Sequence, residues 1–528
     1  MFIHSSRLII THLFFLLFIS TETVFASQQT RIDPEAAPAK TDNKKKIERN
    51  PLSTVKGMIM LDYEVIPVAG NESIDLLGIH YLHQVNHWLY LGLGLHAPLI
   101  HGNYGGFMAF DGTIHAQRKI FKNIFVNAGA SFGGGGGGSS IQQSKELTGT
   151  GGFIKSYIGL GYEFRNFSAG VNYANFKFMN SQIDHSQLNF HIQKPFSYSN
   201  GSYAYSGRKI ESNRSFPDAG INILTLELNN LFRINPQGSN KNTINALSLQ
   251  FSHFLSTNHY MFVGLDVGYK GLPIYNQASG GVGYRFSVSP RVNLYSQLGI
   301  ASGGYSPEQI ETGPGLLVQP KFSIEYLLSN NLGLSLSSGY LVAPKGTSKN
   351  FTVGAAINYY LSNKQKSILR SRAAHDLVYR GFRFNIFHQT QYNVNVGDRK
   401  RNNIKLLSAQ FDYLINDNWY IPTQASVAYN DYLGLPGYGE ILAGLGIQNK
   451  FSSANRFQNF FQVLIGTNVH GALLKPSIGV NYSLSDNLAL YGQIAKTISL
   501  DGINLYPDRY RFSSYSIGLG LTYRFSLP

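Results

Sequence analysis

The chain has 528 residues, 13% aromatic, 14% charged, with 55 Gly and no Cys. Its charge content is well below the roughly 25% of an ordinary soluble protein. The missing Cys excludes disulfides, thiolate metal sites and a lipid-modified N-terminal Cys. The formal charge of +15 points to anionic surroundings or cargo and says nothing about fold.

At the N-terminus Arg7 precedes an apolar run from Leu8 to Ile19, and Val24-Phe25-Ala26 supplies small-residue cleavage chemistry. Residues 1–26 therefore read as a secretory signal peptide cleaved after Ala26. Residues 27–54 are polar, Pro-containing and basic (Lys44-Lys45-Lys46), and are expected to be a disordered periplasmic lead.

From Val55 onward, segments of about 10 residues alternate apolar with small or polar residues, divided by turn signals. The last segment is the cleanest. Tyr515, Ile517, Leu519, Leu521, Tyr523 and Phe525 lie on one face, and Ser516, Gly518, Gly520, Thr522 and Arg524 on the other. Two landmarks recur at about 160–170 residues. One is Tyr157–Tyr162, Lys321–Tyr326 and Ser477–Tyr482; the other is Asn86-His87-Trp88, Asn258-His259-Tyr260 and Asn418-Trp419-Tyr420. Their period suits an eight-stranded unit with loops and is too long for a solenoid repeat.

The expected organisation is repeat 1 over 55–196, a joint at 197–219, repeat 2 over 220–362, a joint at 363–378 and repeat 3 over 379–528. This gives an all-β transmembrane antiparallel barrel of about 24 strands in three eight-stranded repeats. Short turns after even-numbered strands and long connections after odd ones match periplasmic turns and outer loops. A Gly- and Ser-rich inward face (Gly159, Gly161, Ser323, Gly479, Gly518, Gly520) would under-fill a narrow barrel. One wide closed barrel is therefore expected, with three tandem eight-stranded barrels as the alternative.

Alternation, loop asymmetry, export signal and final strand together resemble bacterial outer-membrane β-barrel proteins over about Val55 to Phe525. The resemblance implies the outer membrane of a Gram-negative bacterium, insertion by the barrel-assembly machinery and contact with lipopolysaccharide.

Chemistry-bearing residues are sparse. Lys155, Arg285, Lys321, Arg383, Lys475 and Arg524 fall on the inward face, since a charge facing lipid at midplane costs about 2–4 kcal/mol. They would line a solvated or ion-paired lumen, or an anion-preferring conduit. Arg399-Lys400-Arg401 form a surface basic tract suited to lipopolysaccharide phosphates. Gly133 to Gly138 lack the Gly-Lys-Ser/Thr ending of a phosphate loop and read as surface loop.

Six His lie between His80 and His115. His80 and His83 fall on opposite strand faces, while His96 and His101 flank an outer loop. No metal site or cofactor is expected from that spread. Asp184-His185-Ser186 has the residue types of a hydrolase without the geometry, so no enzyme is expected.

The function expected is a channel or export conduit for solutes or anionic polymers such as polysaccharide. A structural or surface-interaction barrel is the first alternative and a lipid-modifying enzyme the second. Nucleic acid is not an expected partner.

Overall fold

The computed structural model describes residues 53–527 except 69–71, 137–150, 180, 182, 208–220, 235, 237–242, 272–274, 305–309, 330, 361–379, 433–437, 452–454 and 501–510. The signal peptide, nearly all of the lead and the 363–378 joint lie outside the described residues.

The chain is all-β and antiparallel. The first barrel contains β1 (Ser53–Pro67), β2 (Ser73–Gln84), β3 (Leu89–Ala97), β4 (Met108–Phe121), β5 (Ile124–Gly136), β6 (Gly152–Glu163), β7 (Ser168–Phe178) and β8 (Asp184–Asn200). It closes when β8 pairs with β1, for example Leu61 opposite Ile192. The second contains β9 (Asn222–Arg233), β10 (Ile244–Phe254), β11 (His259–Lys270), β12 (Asn276–Ser289), β13 (Val292–Gly303), β14 (Leu316–Leu327), β15 (Leu332–Val342) and β16 (Lys349–Tyr360). Its seam is β16 on β9, with Ala355 opposite Leu228.

The third contains β17 (Arg380–Val396), the two-residue β18 (Arg399–Lys400), β19 (Ile404–Leu414), β20 (Trp419–Ala428), β21 (Gly439–Gln448), β22 (Phe457–Asn468), β23 (Gly471–Ser483), β24 (Leu488–Ser499) and β25 (Phe512–Leu527). β25 returns to β17. Among the described residues no helix is long and apolar enough to cross a membrane.

The three eight-stranded repeats are present, but each closes on itself. The single wide barrel favoured from the Gly-rich inner face does not form. The reason lies in what the glycines face. A Cβ at Gly161 would fall on the Phe125 ring, at Gly283 on Tyr260, at Gly446 on Tyr420 and at Gly479 on Phe460, and one at Gly518 would come within 3.0 Å of the Phe387 ring. Each of these glycines makes room for a ring from a neighbouring strand that lies across it. Large and small residues thereby fill a narrow interior that a count of small residues suggests is empty.

The recurring turn after the second strand has a local cause. Asn86 Oδ1 accepts from the Trp88 and Leu89 N–H groups, both at 2.9 Å. Ser256 Oγ accepts from Asn258 and His259, and Asn416 Oδ1 from Asn418 and Trp419. A side-chain oxygen thus holds the same turn three times. The structural equivalents are Asn86, Ser256 and Asn416, so the landmark read as Asn86, Asn258 and Asn418 is two residues out of register in the first repeat.

Each barrel touches both others. Leu316 N–H donates to Leu99 O at 3.0 Å, and Thr467 Oγ1 to Gly268 O at 3.3 Å. Gly201 bridges Ser526 in an antiparallel pair. Between β8 and β9 a one-turn 3-10 helix, Tyr203–Tyr205, carries a buried Tyr203 into the third barrel, where it packs with Phe387, Leu414, Tyr420, Phe460 and Tyr491.

Candidate functional site: the ion-paired barrel interiors

Strand alternation sends polar side chains inward and apolar ones outward, the reverse of a water-soluble core. Ile158 is 65% exposed, Phe322 65% and Leu519 66%, all on outer walls. Lys155 is 0% exposed, in the interior of the first barrel.

All six sequence-predicted lumen cations are buried. Lys155 Nζ bonds Asp62 Oδ2 and lies 2.8 Å from Glu64 Oε1. Lys321 pairs with Glu227, which also accepts from Ser337. Lys475 lies 3.0 Å from Glu440 Oε2 and donates to Gln389. Arg383 Nε donates to Asp412 Oδ2 at 2.9 Å, and its guanidinium stacks 4.4 Å from the Tyr420 ring centre. Arg285 lies over Phe254 and donates to Thr257 O. Arg524 lies over Phe451 and Tyr203 and donates to Ser483.

Lys155, Gln319 and Lys475, equivalent in sequence, occupy one level in the three barrels, nine residues before the bonded turns that begin at Phe164, Leu328 and Leu484. Gln319 meets Gln277 there, and Lys321, two residues along β14, is the cation of that barrel.

Lys155, Lys321, Arg383 and Lys475 are thus held by carboxylates, and Arg285 and Arg524 by aromatic rings and single oxygen acceptors, in packed interiors. The acids Asp62, Glu64, Glu227 and Asp412 were not singled out from sequence. Asp62, Glu64 and Glu227 lie on the first strand of their repeats, far in sequence from Lys155 and Lys321, so only barrel closure brings those pairs together, whereas Asp412 sits directly opposite Arg383 on the paired strands β17 and β19. The alternation that located the lysines applies equally to these acids.

A cavity of about 40 Å³ remains in the second barrel, between Glu227, Gln250, Gln297, Lys321 and Asn358. It has room for a few waters.

In the surface tract Arg399 and Lys400 are exposed on β18, paired with Val396 and Asn395, and Arg401 is half-buried. Beside it His470 sits in the turn between β22 and β23, its Nε2 2.5 Å from Tyr432 Oη and its ring stacked on Phe512. Burial, and then the Arg401 charge, push its imidazole down to about 4.

Asp184 forms an exposed ion pair with Lys177 and belongs to no triad with His185 and Ser186. Gly133–Gly136 end β5, and the rest of that Gly run lies outside the described residues. Of the clustered histidines, His80, His96 and His115 all point into the first barrel and are fully buried. His80 opposes Gly94 and His96 opposes Gly78 across the β2–β3 hairpin, which makes the two rings diagonal neighbours 5.0 Å apart.

No protein-family model matches the chain, and no curated protein does. Among solved structures it is similar to a mutant ferric enterobactin receptor of Pseudomonas aeruginosa, at 10% identity over 89% of this chain and 80% of that one, TM-score 0.27. The NanC porin gives 12% identity over 56% and 98%, TM-score 0.16. The copper transporter OprC gives 10% over 90% and 81%, TM-score 0.27. At these values the likeness carries no argument about arrangement or activity.

Proposed function

We propose that the chain is an outer-membrane protein whose three filled barrels form a membrane-embedded platform, and that its work is done at the loop end. The observation that carries this reading is the inversion of the walls. Leu188, Phe190, Leu336 and Ile478 face outward, while ion pairs such as Lys155–Asp62 and Lys475–Glu440 are sealed inside. Such a surface suits lipid and would aggregate in water. Export through a cleaved signal and insertion by the barrel-assembly machinery belong to the same reading.

The platform reading departs from the wide export conduit. Anionic polymer cargo such as polysaccharide has no path through an eight-stranded interior packed with side chains. The exposed Arg399 and Lys400 supply the contact with lipopolysaccharide phosphates.

The polar cavity of the second barrel favours one other reading, a narrow passage for water or small ions past Lys321 and Glu227. Planar-bilayer recording of the purified protein separates the two. The platform gives no resolved conductance steps in high salt. Small steps altered by Lys321→Met support the narrow passage, and large steps would overturn the filled-barrel account.

A further inference from the structure

We propose that the first barrel holds a divalent transition-metal ion, of the zinc class, between Asp62, His80 and His96. Each residue offers one ligand atom, and all three atoms lie within 4.8 Å of one another. The three side chains are buried, on the adjacent strands β1, β2 and β3.

Their remaining hydrogen bonds are already committed. Asp62 Oδ2 takes Lys155 and Asn189. His80 Nδ1 lies 3.1 Å from Thr113 Oγ1, and His96 Nε2 lies 2.7 Å from Asp111 Oδ2. What is left over is Asp62 Oδ1, His80 Nε2 and His96 Nδ1, and all three are buried without a hydrogen-bond partner. Three orphaned polar atoms in one place are costly unless something satisfies them together. Two imidazole nitrogens and one carboxylate oxygen form a donor set that zinc-class ions take, with a further position for water.

The surroundings fit the same purpose. Asp111 on the far nitrogen of His96 and Thr113 on that of His80 fix both ring orientations, as outer partners of metal-bound histidines do. Thr113 in turn donates to Asp111 at 2.5 Å. Gly78 keeps the space open, because a Cβ there would fall on Asp62 Oδ1 and 2.9 Å from His96 Nδ1. Charge agrees. Asp62, Glu64 and Asp111 face one interior cation at this level, Lys155, which leaves an excess of negative charge for a dication.

The competing account is two imidazolium–carboxylate pairs. It leaves His80 Nε2 at 3.5 Å from Asp62 Oδ1, too far for a good hydrogen bond, and His96 Nδ1 with no acceptor. An apolar layer including Phe153, Phe176 and Phe107 closes the barrel next to the site, and His96 packs edge-on to Phe153. The ion is therefore captured as the barrel folds, and it ties β1, β2 and β3 together.

The test refolds the full mature chain into detergent with zinc, with cobalt, or with chelator, followed by desalting. Elemental analysis should find about one zinc per folded chain, and the cobalt form should show visible ligand-field absorption. His80→Gln and His96→Gln should each lose most of the metal, whereas His115→Gln should retain it. His115 is a buried histidine of the same barrel bonded to Tyr157. Folding is scored separately by heat-modifiable gel mobility. Wild-type protein that folds in zinc with under about a tenth of an equivalent and shows no cobalt band overturns the site, whatever the variants do. Equal metal loss from His115→Gln overturns it too.

Discussion

Arg383→Met should destabilise the third barrel while leaving the first untouched. The guanidinium is buried, bonded to Asp412 at 2.9 Å and to Gln448 at 2.5 Å, and stacked on Tyr420. Removing one partner of a buried ion pair costs about 3–5 kcal/mol. Asp412 would keep the amides of Asn385 (2.9 Å) and Gln410 (2.7 Å), and Met would fill much of the lost stem volume. The lower end, about 3 kcal/mol, is therefore expected. With a urea dependence of about 2 kcal/mol/M, the midpoint falls by about 1.5 M. The chain carries only two Trp, Trp88 beside β3 and Trp419 opening β20, so fluorescence of single-Trp variants reports the first and third barrels separately. In lipid vesicles the Trp419 transition should shift and the Trp88 transition should not. Equal shifts of both would refute separately cooperative barrels, and no shift of either would refute the ion-pair assignment.

Other consequences concern packing, plugging, topology and pH. Gly446→Val should cost about 1–3 kcal/mol in the Trp419 transition because its side chain meets the Tyr420 ring, whereas Gly112→Ala, with open space around it, should be near neutral. Tyr203→Ala should destabilise the third barrel by about 3 kcal/mol, although Tyr203 belongs to the connection after the first, and urea unfolding read at Trp419 measures this. Small tags at Asn166 or Asp486 should be hidden from antibody in intact cells, and one beside Arg399 should be labelled, since the turns and β18 lie at opposite ends of the strands. His470 is held near 4, below its unfolded value of about 6.5. As pH falls from about 6.5 towards 4, the unfolded chain takes up a proton that the folded chain refuses, so stability is lost across that window. His470→Phe should flatten this part of the pH–stability curve.

Strand positions, the three repeats and the inward cations were legible because each rests on period-two alternation, which a single sequence displays directly. Closure was not. Whether β8 turns back to β1 or runs on to β9 depends on pairings such as Asp62 with His191, 129 residues apart. The glycines that suggested an empty lumen, Gly161 and Gly479 among them, are the positions over which Phe125 and Phe460 lie. The histidine pair was missed for a related reason. Comparing His80 with its nearest neighbour His83 put them on opposite faces, while the useful comparison was across the hairpin to His96. A Gly two residues before each His, Gly78 and Gly94, was the signal available, since each glycine opens room for the ring opposite.

Separate closure can be tested by disulfide trapping in a chain that has no cysteine of its own. Leu61 and Ile192 are Cα partners on the outer wall of the β1–β8 seam, and directly opposed antiparallel residues lie within disulfide reach. Leu61→Cys with Ile192→Cys should form an intramolecular bond in cells, visible as a reducible gel shift, and Ile192→Cys with Leu226→Cys on β9 should not. A bond in the second pair and none in the first would mean that β8 pairs with β9 in one wide barrel, which contradicts three separately closed ones.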